Sequence, residues 1–289
     1  MNAFHTLMDY LQDPFLAGMI GKALLVGIPI SLCASLLGVT LVLKRYSMIG
    51  DGLSHVGFGA LAIATLLNMG GGTDRTSTLL ISLPLVLVAA FLLLRMSQSA
   101  HTQGDAAIAL VSTGAIAIGY MIFTVSGTGS PADVCTSLFG RSTVLSLSDT
   151  LVALSFGLSV AVLTLYLLCY SQIFSLTLDE TFAEATGVKT KRYQTLIALL
   201  TAVTIVLGMQ LVGAVMISGL IVFPTLTSMR LFKSFRGVVI STAILSVSCY
   251  VLGFLFATVY DLPTGPAVIC VNLVLYLTFS LLAKVRRRA

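Results

Sequence analysis

Two ionisable side chains lie four residues apart at the start of an apolar segment: Asp51 and His55. Residues i and i+4 of a helix share a face, so a helix here aligns the carboxylate with the imidazole. An ionisable residue inside a membrane is costly unless it faces a cavity, a partner or a permeating ion. Carboxylate oxygen and imidazole nitrogen together suit Zn²⁺ or Mn²⁺. Two ligands predict a site that a metal ion passes through rather than one that stores it.

The same spacing also has a structural interpretation, which the sequence leaves open. Asp51 could cap the start of its helix, and His55 could hydrogen-bond to a neighbouring helix. The other two histidines, His5 and His101, fall in polar stretches without a partner at metal-ligand spacing. Both are predicted to be solvated.

The elements that position the pair are predicted to be membrane helices. Of the 289 residues, 57% are hydrophobic and 9% are charged, whereas about a quarter of the residues in a soluble protein are charged. Apolar runs of about 20 residues, the length that crosses a bilayer, follow one another almost from end to end. Residues 1–289 are therefore predicted to form one all-α domain that crosses the plasma membrane many times.

The apolar runs predict about nine membrane-spanning helices, with eight or ten as alternatives. A broken-helix region is predicted near 208–224, where three glycines and a proline interrupt a long apolar run and the chain could reverse near Met209. Broken helices of this kind usually line a cavity. The predicted spans are 16–43, 48–68, 78–95, 106–126, 149–170, 193–209, 211–229, 236–259 and 264–283.

The lysines and arginines predict how the spans are oriented. In the nine-span arrangement, thirteen of the sixteen basic residues fall on one side of the membrane, and the C-terminal basic run lies among them. Short cytoplasmic loops carry an excess of Lys and Arg. The N-terminus is therefore predicted to be outside and the C-terminus in the cytoplasm.

A polar, charged segment at 178–188 interrupts the apolar pattern on the predicted cytoplasmic side. It has the length of one short helix, and Gly187 is a typical residue for ending it. The segment is either a surface that touches another protein or an amphipathic connector between two spans.

The motif Gly-Asp-x-Leu-Ser-His at 50–55 is accompanied by five further segments: 25–28, 38–49, 137–140, 181–188 and 212–224. Together they resemble the permease subunits of the zinc and manganese ATP-binding cassette importers. The motif at 50–55 is the most specific, and the similarity extends over nearly the whole chain.

The resemblance implies a function, partners and site residues. Asp51 and His55 would lie on the metal pathway, with Zn²⁺ slightly favoured over Mn²⁺ as transported substrate and no permanently bound cofactor. The implied partners are an ATPase subunit, an extracytoplasmic metal-binding solute-binding protein and a second copy of the chain. The segment at 178–188 would be the coupling helix that docks on the ATPase, recognisable at Asp179, Glu180, Glu184, Ala185, Gly187 and Val188.

Other functions fit the residues less well. The chain lacks the phosphate-binding loop G-x-x-x-x-G-K-[ST], so ATP hydrolysis is predicted to belong to a separate subunit and the chain itself is not predicted to be an enzyme. Its basic residues form no stripe that would indicate nucleic-acid binding. A vitamin B12 or iron-siderophore permease and an ion-coupled secondary transporter remain as alternatives.

Overall fold

The computed structural model describes residues 14–44, 47–67, 75–97, 104–125, 149–260 and 262–286. Within these ranges the regular elements are all α-helices, nine long and two short. In chain order they are α1 (Pro14–Leu43), α2 (Ser47–Leu67), α3 (Arg75–Ser97), α4 (Gly104–Val125), α5 (Asp149–Leu168), α6 (Tyr170–Leu178), α7 (Glu180–Ala185), α8 (Thr190–Val212), α9 (Ala214–Leu231), α10 (Phe235–Tyr260) and α11 (Thr264–Arg286).

The long helices have the length and composition of membrane spans. In the described part of the chain, eight of them are long and apolar enough to cross a bilayer. The remaining long helix, α3, contains a shorter apolar stretch, Leu80–Leu93. Each of the nine predicted spans falls on one of the nine long helices described, so the prediction of an all-α membrane bundle is confirmed.

The predicted broken region is present, but the break lies at Gly213 rather than near Met209. Gly213 separates α8 from α9 and has φ +105° and ψ 149°, a backbone conformation that only glycine adopts readily. A Cβ at Gly208 would lie 2.0 Å from Cδ1 of Ile217, whereas a continuous helix would separate these positions by about 13 Å. The chain therefore reverses at Gly213.

Of the two helices at this reversal, α8 is longer than its predicted span, 193–209, whereas α9 is about as long as its predicted span, 211–229. α8 has 23 residues and α9 has 18. Pro224 lies inside α9, although a proline inside a helix removes one backbone hydrogen bond and crowds the preceding turn. The region is thus a helical hairpin with one sharp turn.

The first helix, α1, lies at the centre of the bundle and packs against α5, α8, α9 and α10. At Gly38 the backbones of α1 and α9 touch, because a Cβ there would lie 2.2 Å from the carbonyl oxygen of Ile221. Tyr250 of α10 lies over Gly27, and its hydroxyl donates to the Ala23 carbonyl at 3.1 Å. These close approaches make α1 the element around which the others pack.

Two ion pairs mark opposite ends of α1. Near its beginning, Lys22 pairs with Asp149 at the start of α5. Just after its end, Lys44 pairs with Glu180 of α7 at 3.3 Å. The second pair places the segment around α7 at the same end of the bundle as the connection from α1 to α2.

Candidate functional site

Asp51 and His55 lie on one face of α2, as their spacing predicts. His55 Nε2 is 3.6 Å from Asp51 Oδ2, slightly beyond hydrogen-bonding distance. Because α2 begins at Ser47, Asp51 lies inside the helix and does not cap its start. His55 Nδ1 is buried and has no hydrogen-bond partner among the described residues. Asp51 is therefore not an N-cap, and His55 Nδ1 makes no hydrogen bond to a neighbouring helix among the described residues.

Glycines on the other faces of α2 let neighbouring helices approach closely. A Cβ at Gly52 would lie 2.6 Å from a side-chain carbon of Ile108 on α4. A Cβ at Gly57 would lie 2.9 Å from the sulfur of Met209 on α8. These contacts fix the rotation of α2 about its axis, and with it the direction in which the ionisable face points.

The face of α2 that carries the pair is open. Met48, one turn before Asp51, is 56% exposed. The Asp51 side chain is 51% exposed, and that of His55 is 22% exposed. The carboxylate is thus accessible from outside this single chain, while the imidazole is more sheltered.

A third polar side chain reaches this site from the helical hairpin. Ser218 of α9 lies near the Asp51 carboxyl group, and its hydroxyl donates its proton to the Val215 carbonyl at 2.9 Å. Ser218 could not be identified from the sequence, because serines are common in membrane helices and no local spacing connects it with Asp51. Only the packing of α9 against α2 brings the two together.

The site offers few metal ligands from one chain. Among the residues that the structure describes, no group of three or more His, Cys, Asp or Glu side chains could hold a metal ion. A closed Zn²⁺ site normally has four protein ligands. Within one chain, the Asp51 and His55 pair therefore cannot complete a tetrahedral shell.

The polar segment at 178–188 folds into α7, a six-residue helix that is capped at both ends. The Asp179 carboxylate accepts hydrogen bonds from the Thr181 and Phe182 amides and from the Thr181 hydroxyl. Gly187 has φ +86°. Its amide donates to the Glu184 carbonyl, and the Val188 amide donates to the Ala183 carbonyl, which is the Schellman arrangement. The prediction that Gly187 ends this helix is confirmed.

Hydrogen bonding also affects the acidity of the Asp179 cap. The bond from the Thr181 hydroxyl, followed by the bond from the Phe182 amide, holds the pKa of Asp179 below its ordinary value. Both bonds favour the charged carboxylate. Asp179 is therefore a structural residue of α7.

The two glutamates of α7 contact their own chain. Glu180 accepts hydrogen bonds from Lys44 and from Gln194 of α8. Glu184 accepts from the Thr190 hydroxyl at 2.6 Å. The resemblance implied that both glutamates lie on the helix that docks on the ATPase. In the structure, their hydrogen bonds attach α7 to the start of α8 and to the residue that follows α1.

Two large apolar side chains of the segment 178–188 are exposed. Phe182 is 62% exposed, and Leu178 is exposed to the same extent. Ala183 is fully buried and Ala185, also singled out in the sequence, is exposed. Phe182 is not among the residues predicted for this surface from the sequence.

The sequence is similar to membrane proteins of metal transport systems. Residues 17–283 match the ABC 3 transport family. A Thermotoga maritima protein named "Probable metal transport system membrane protein" is 30% identical, over 96% of this chain and 92% of its own length. The manganese transport system membrane protein MntC of Halalkalibacterium halodurans is 27% identical, over 93% of this chain and 85% of its own.

A zinc system is found among the relatives as well. The high-affinity zinc uptake system membrane protein ZnuB of Haemophilus influenzae is 25% identical, over 88% of this chain and 94% of its own. In structure, the chain resembles PsaBC from Streptococcus pneumoniae, solved in complex with Fab. The TM-score is 0.79 at 23% identity, covering 94% of this chain and 93% of that one.

The family match covers nearly the whole chain, and the helices that it covers build the fold just described. The relatives span the same length and are membrane proteins of manganese and zinc transport systems. The chain belongs to the ABC 3 transport family and is a multi-pass membrane permease homologous to these proteins.

Proposed function

We propose that the chain is the permease subunit of an ATP-driven importer of divalent metal ions, and that the ion passes Asp51 and His55. The observation that carries this proposal is the position of the two side chains on one open face of α2. An ionisable pair on a membrane helix requires a partner or a permeating ion. Metal is the transported substrate here and not a resident cofactor.

A second copy of the chain completes this pathway. The open face of α2 offers one carboxylate and one imidazole, whereas Zn²⁺ prefers four ligands in a tetrahedron. Two copies that face each other supply two of each. The half-exposed Asp51 carboxylate supports such an arrangement.

The energy for transport comes from a separate ATPase subunit that docks on α7. The exposed Phe182 and Leu178 side chains supply an apolar contact outside the bundle, and the caps at Asp179 and Gly187 hold α7 in shape. At the opposite end, a metal-binding solute-binding protein delivers the ion. We place α7 and the C-terminus in the cytoplasm, because thirteen of the sixteen basic residues then lie on that side.

Zinc is the cargo that we propose first, ahead of manganese. Imidazole is a good zinc ligand, whereas manganese prefers oxygen-rich shells. The relatives include proteins named for each metal, so competition between the two ions has to decide. A siderophore or vitamin B12 permease needs wide uncharged walls and no such ionisable pair.

The direct test is uptake of ⁶⁵Zn and ⁵⁴Mn by cells that express the complete system, comparing the wild type with Asp51→Ala and His55→Ala. We expect each substitution to lower uptake by about tenfold or more, since even indirect supports of a metal site are worth that much. His101→Ala is the matched control, at a histidine outside the described residues that is predicted to be solvated. Assembly with the ATPase is expected to be unchanged.

The same assay has outcomes that contradict the proposal. Full uptake in both alanine variants would remove Asp51 and His55 from the pathway. Absence of both zinc and manganese uptake in the wild type, with all partners present, would favour the siderophore or vitamin B12 alternative. Uptake without any ATPase subunit would indicate an ion-coupled secondary transporter.

The docking surface is tested by Phe182→Glu. We expect the ATPase to be lost from the purified complex, because a charge replaces the apolar contact that α7 presents. Phe232→Glu is the control, since Phe232 is a 46% exposed phenylalanine in the connection from α9 to α10, at the same end of the bundle. Equal retention of the ATPase by both variants would argue against docking on α7.

A further inference from the structure

Lys44 lies in the sequence between the helix at the centre of the bundle, α1, and the helix that carries the ionisable pair, α2. It follows the last residue of α1, and its amide still donates to the Thr40 carbonyl at 3.1 Å. Only residues 44–46 separate α1 from α2. Lys44 therefore lies three residues before the start of α2, which is one turn before Asp51.

In the ion pair between Lys44 and Glu180, the lysine side chain is largely buried and the glutamate side chain is half-exposed. The Lys44 side chain is 11% exposed and that of Glu180 is 45% exposed, with 3.3 Å between Nζ and Oε2. Lys44 also lines a small cavity together with Ile49 and Leu53 of α2. These two residues flank Asp51 in sequence and lie on the packed face of the same helix. A sheltered ammonium left without its carboxylate is costly, so the pair is held more firmly than a surface ion pair.

Glu180 also makes a second connection. Its other carboxylate oxygen accepts from Gln194, in the second turn of α8, and Gln194 lines the same cavity as Lys44. The first residue of α7 is thus bonded to the end of α1 and to the beginning of α8. The remainder of α7 exposes Phe182 on the opposite side.

We propose that Glu180 and Lys44 link α7 mechanically to α2, so that movement of α7 is transmitted to the start of the helix that carries Asp51 and His55. This inference rests on the proposed function, in which α7 is the docking helix. Glu180 and Lys44 are positioning residues, because neither is placed on the metal pathway. Without the link, α7 still binds the ATPase, but its movement no longer reaches α2.

The experiment measures metal uptake and ATP hydrolysis side by side in proteoliposomes that hold the complete complex. The variants are Glu180→Gln, which keeps an acceptor for Gln194 but removes the charge, and Lys44→Met, which keeps the apolar stem of the side chain. We expect metal transported per ATP hydrolysed to fall by about fivefold or more, a typical strength of coupling between sites. Lys191→Met is the control, at an exposed lysine in the first turn of α8.

The reversed pair, Lys44→Glu with Glu180→Lys, separates coupling from folding. Recovery of transport per ATP in the double variant supports the link. A parallel fall of transport and ATP hydrolysis in the single variants, with an intact complex, would overturn it. An unchanged ratio of metal transported to ATP hydrolysed in the single variants would overturn the link as well. A failure of the proposed function itself would be recognised separately, as ATPase binding that does not respond to Phe182→Glu.

Discussion

Single residues in this protein stabilise helix ends and helix contacts through specific hydrogen bonds. Asp179 shows this at an exposed position, where one carboxylate accepts from two amides and a hydroxyl at the start of α7. Tyr250 shows it in the interior, where its hydroxyl reaches the backbone of α1. Each of these two residues leads to a testable prediction that does not depend on the transported substrate.

Replacement of Asp179 tests the N-cap of α7. Asp179→Ala is expected to speed hydrogen exchange of the Thr181 and Phe182 amides, while Asp179→Asn, which also caps well, is expected to have a much smaller effect. The pKa of Asp179 is lowered in the fold, so the charged cap stabilises α7 above the ordinary Asp range. This contribution is lost as pH falls through the lowered pKa. Equal exchange in the wild type and the alanine variant would show that the cap is unimportant.

Replacement of Tyr250 tests the contact between α10 and α1. Tyr250→Phe removes the buried bond to the Ala23 carbonyl, which is expected to cost about 1 kcal/mol of stability. The measurement is thermal unfolding of the detergent-purified protein. Tyr260→Phe is the control, because Tyr260 is 56% exposed and its hydroxyl is lost at little cost. A loss of stability as large at Tyr260 would point to a general effect of the missing hydroxyl.

Local sequence patterns identified the helices and one turn but not every side chain at the site. The apolar runs were sufficient for the nine long helices, and the glycine at position 187 was sufficient for the end of α7, because both depend on neighbours in sequence. Ser218 beside Asp51 and Lys44 beside Glu180 depend on how distant helices pack. The break among the glycines of 208–224 was found only approximately, since several of them could reverse the chain and only Gly213 has the required φ.

At the scale of elements, the turn between α8 and α9 is fixed by the conformation of Gly213. Gly213→Ala is expected to destabilise the fold by about 1–3 kcal/mol, because φ +105° is strained for any residue with a Cβ. Thermal unfolding measures this. Gly157→Ala is the control, since a Cβ at Gly157 on α5 meets no atom within 4 Å. Equal stability of both variants would mean that α8 and α9 can turn in another way.

At the scale of the whole molecule, the arrangement of helices leaves the ionisable face of α2 uncovered within one chain. The complex is expected to contain two copies of this chain, and native mass spectrometry counts them. Met48→Cys, on the same exposed face, is expected to form a cross-link between copies when oxidised. A complex with one copy, or cross-linking that is equally strong from the outward face of α11 at Leu281→Cys, would contradict the proposed pairing.

The backbone contact between Gly38 of α1 and Ile221 of α9 has a further consequence for movement. Two helices that already touch cannot come closer, so α9 can tilt about this fulcrum but cannot shift towards α1. Seven residues of α9 precede Ile221 and ten follow it. A tilt of about 10° carries one end of α9 about 2 Å in one direction and the other end about 3 Å in the opposite direction. Ser218 lies on the shorter arm, so such a tilt would move Ser218 in the direction opposite to the end of α9 at Leu231.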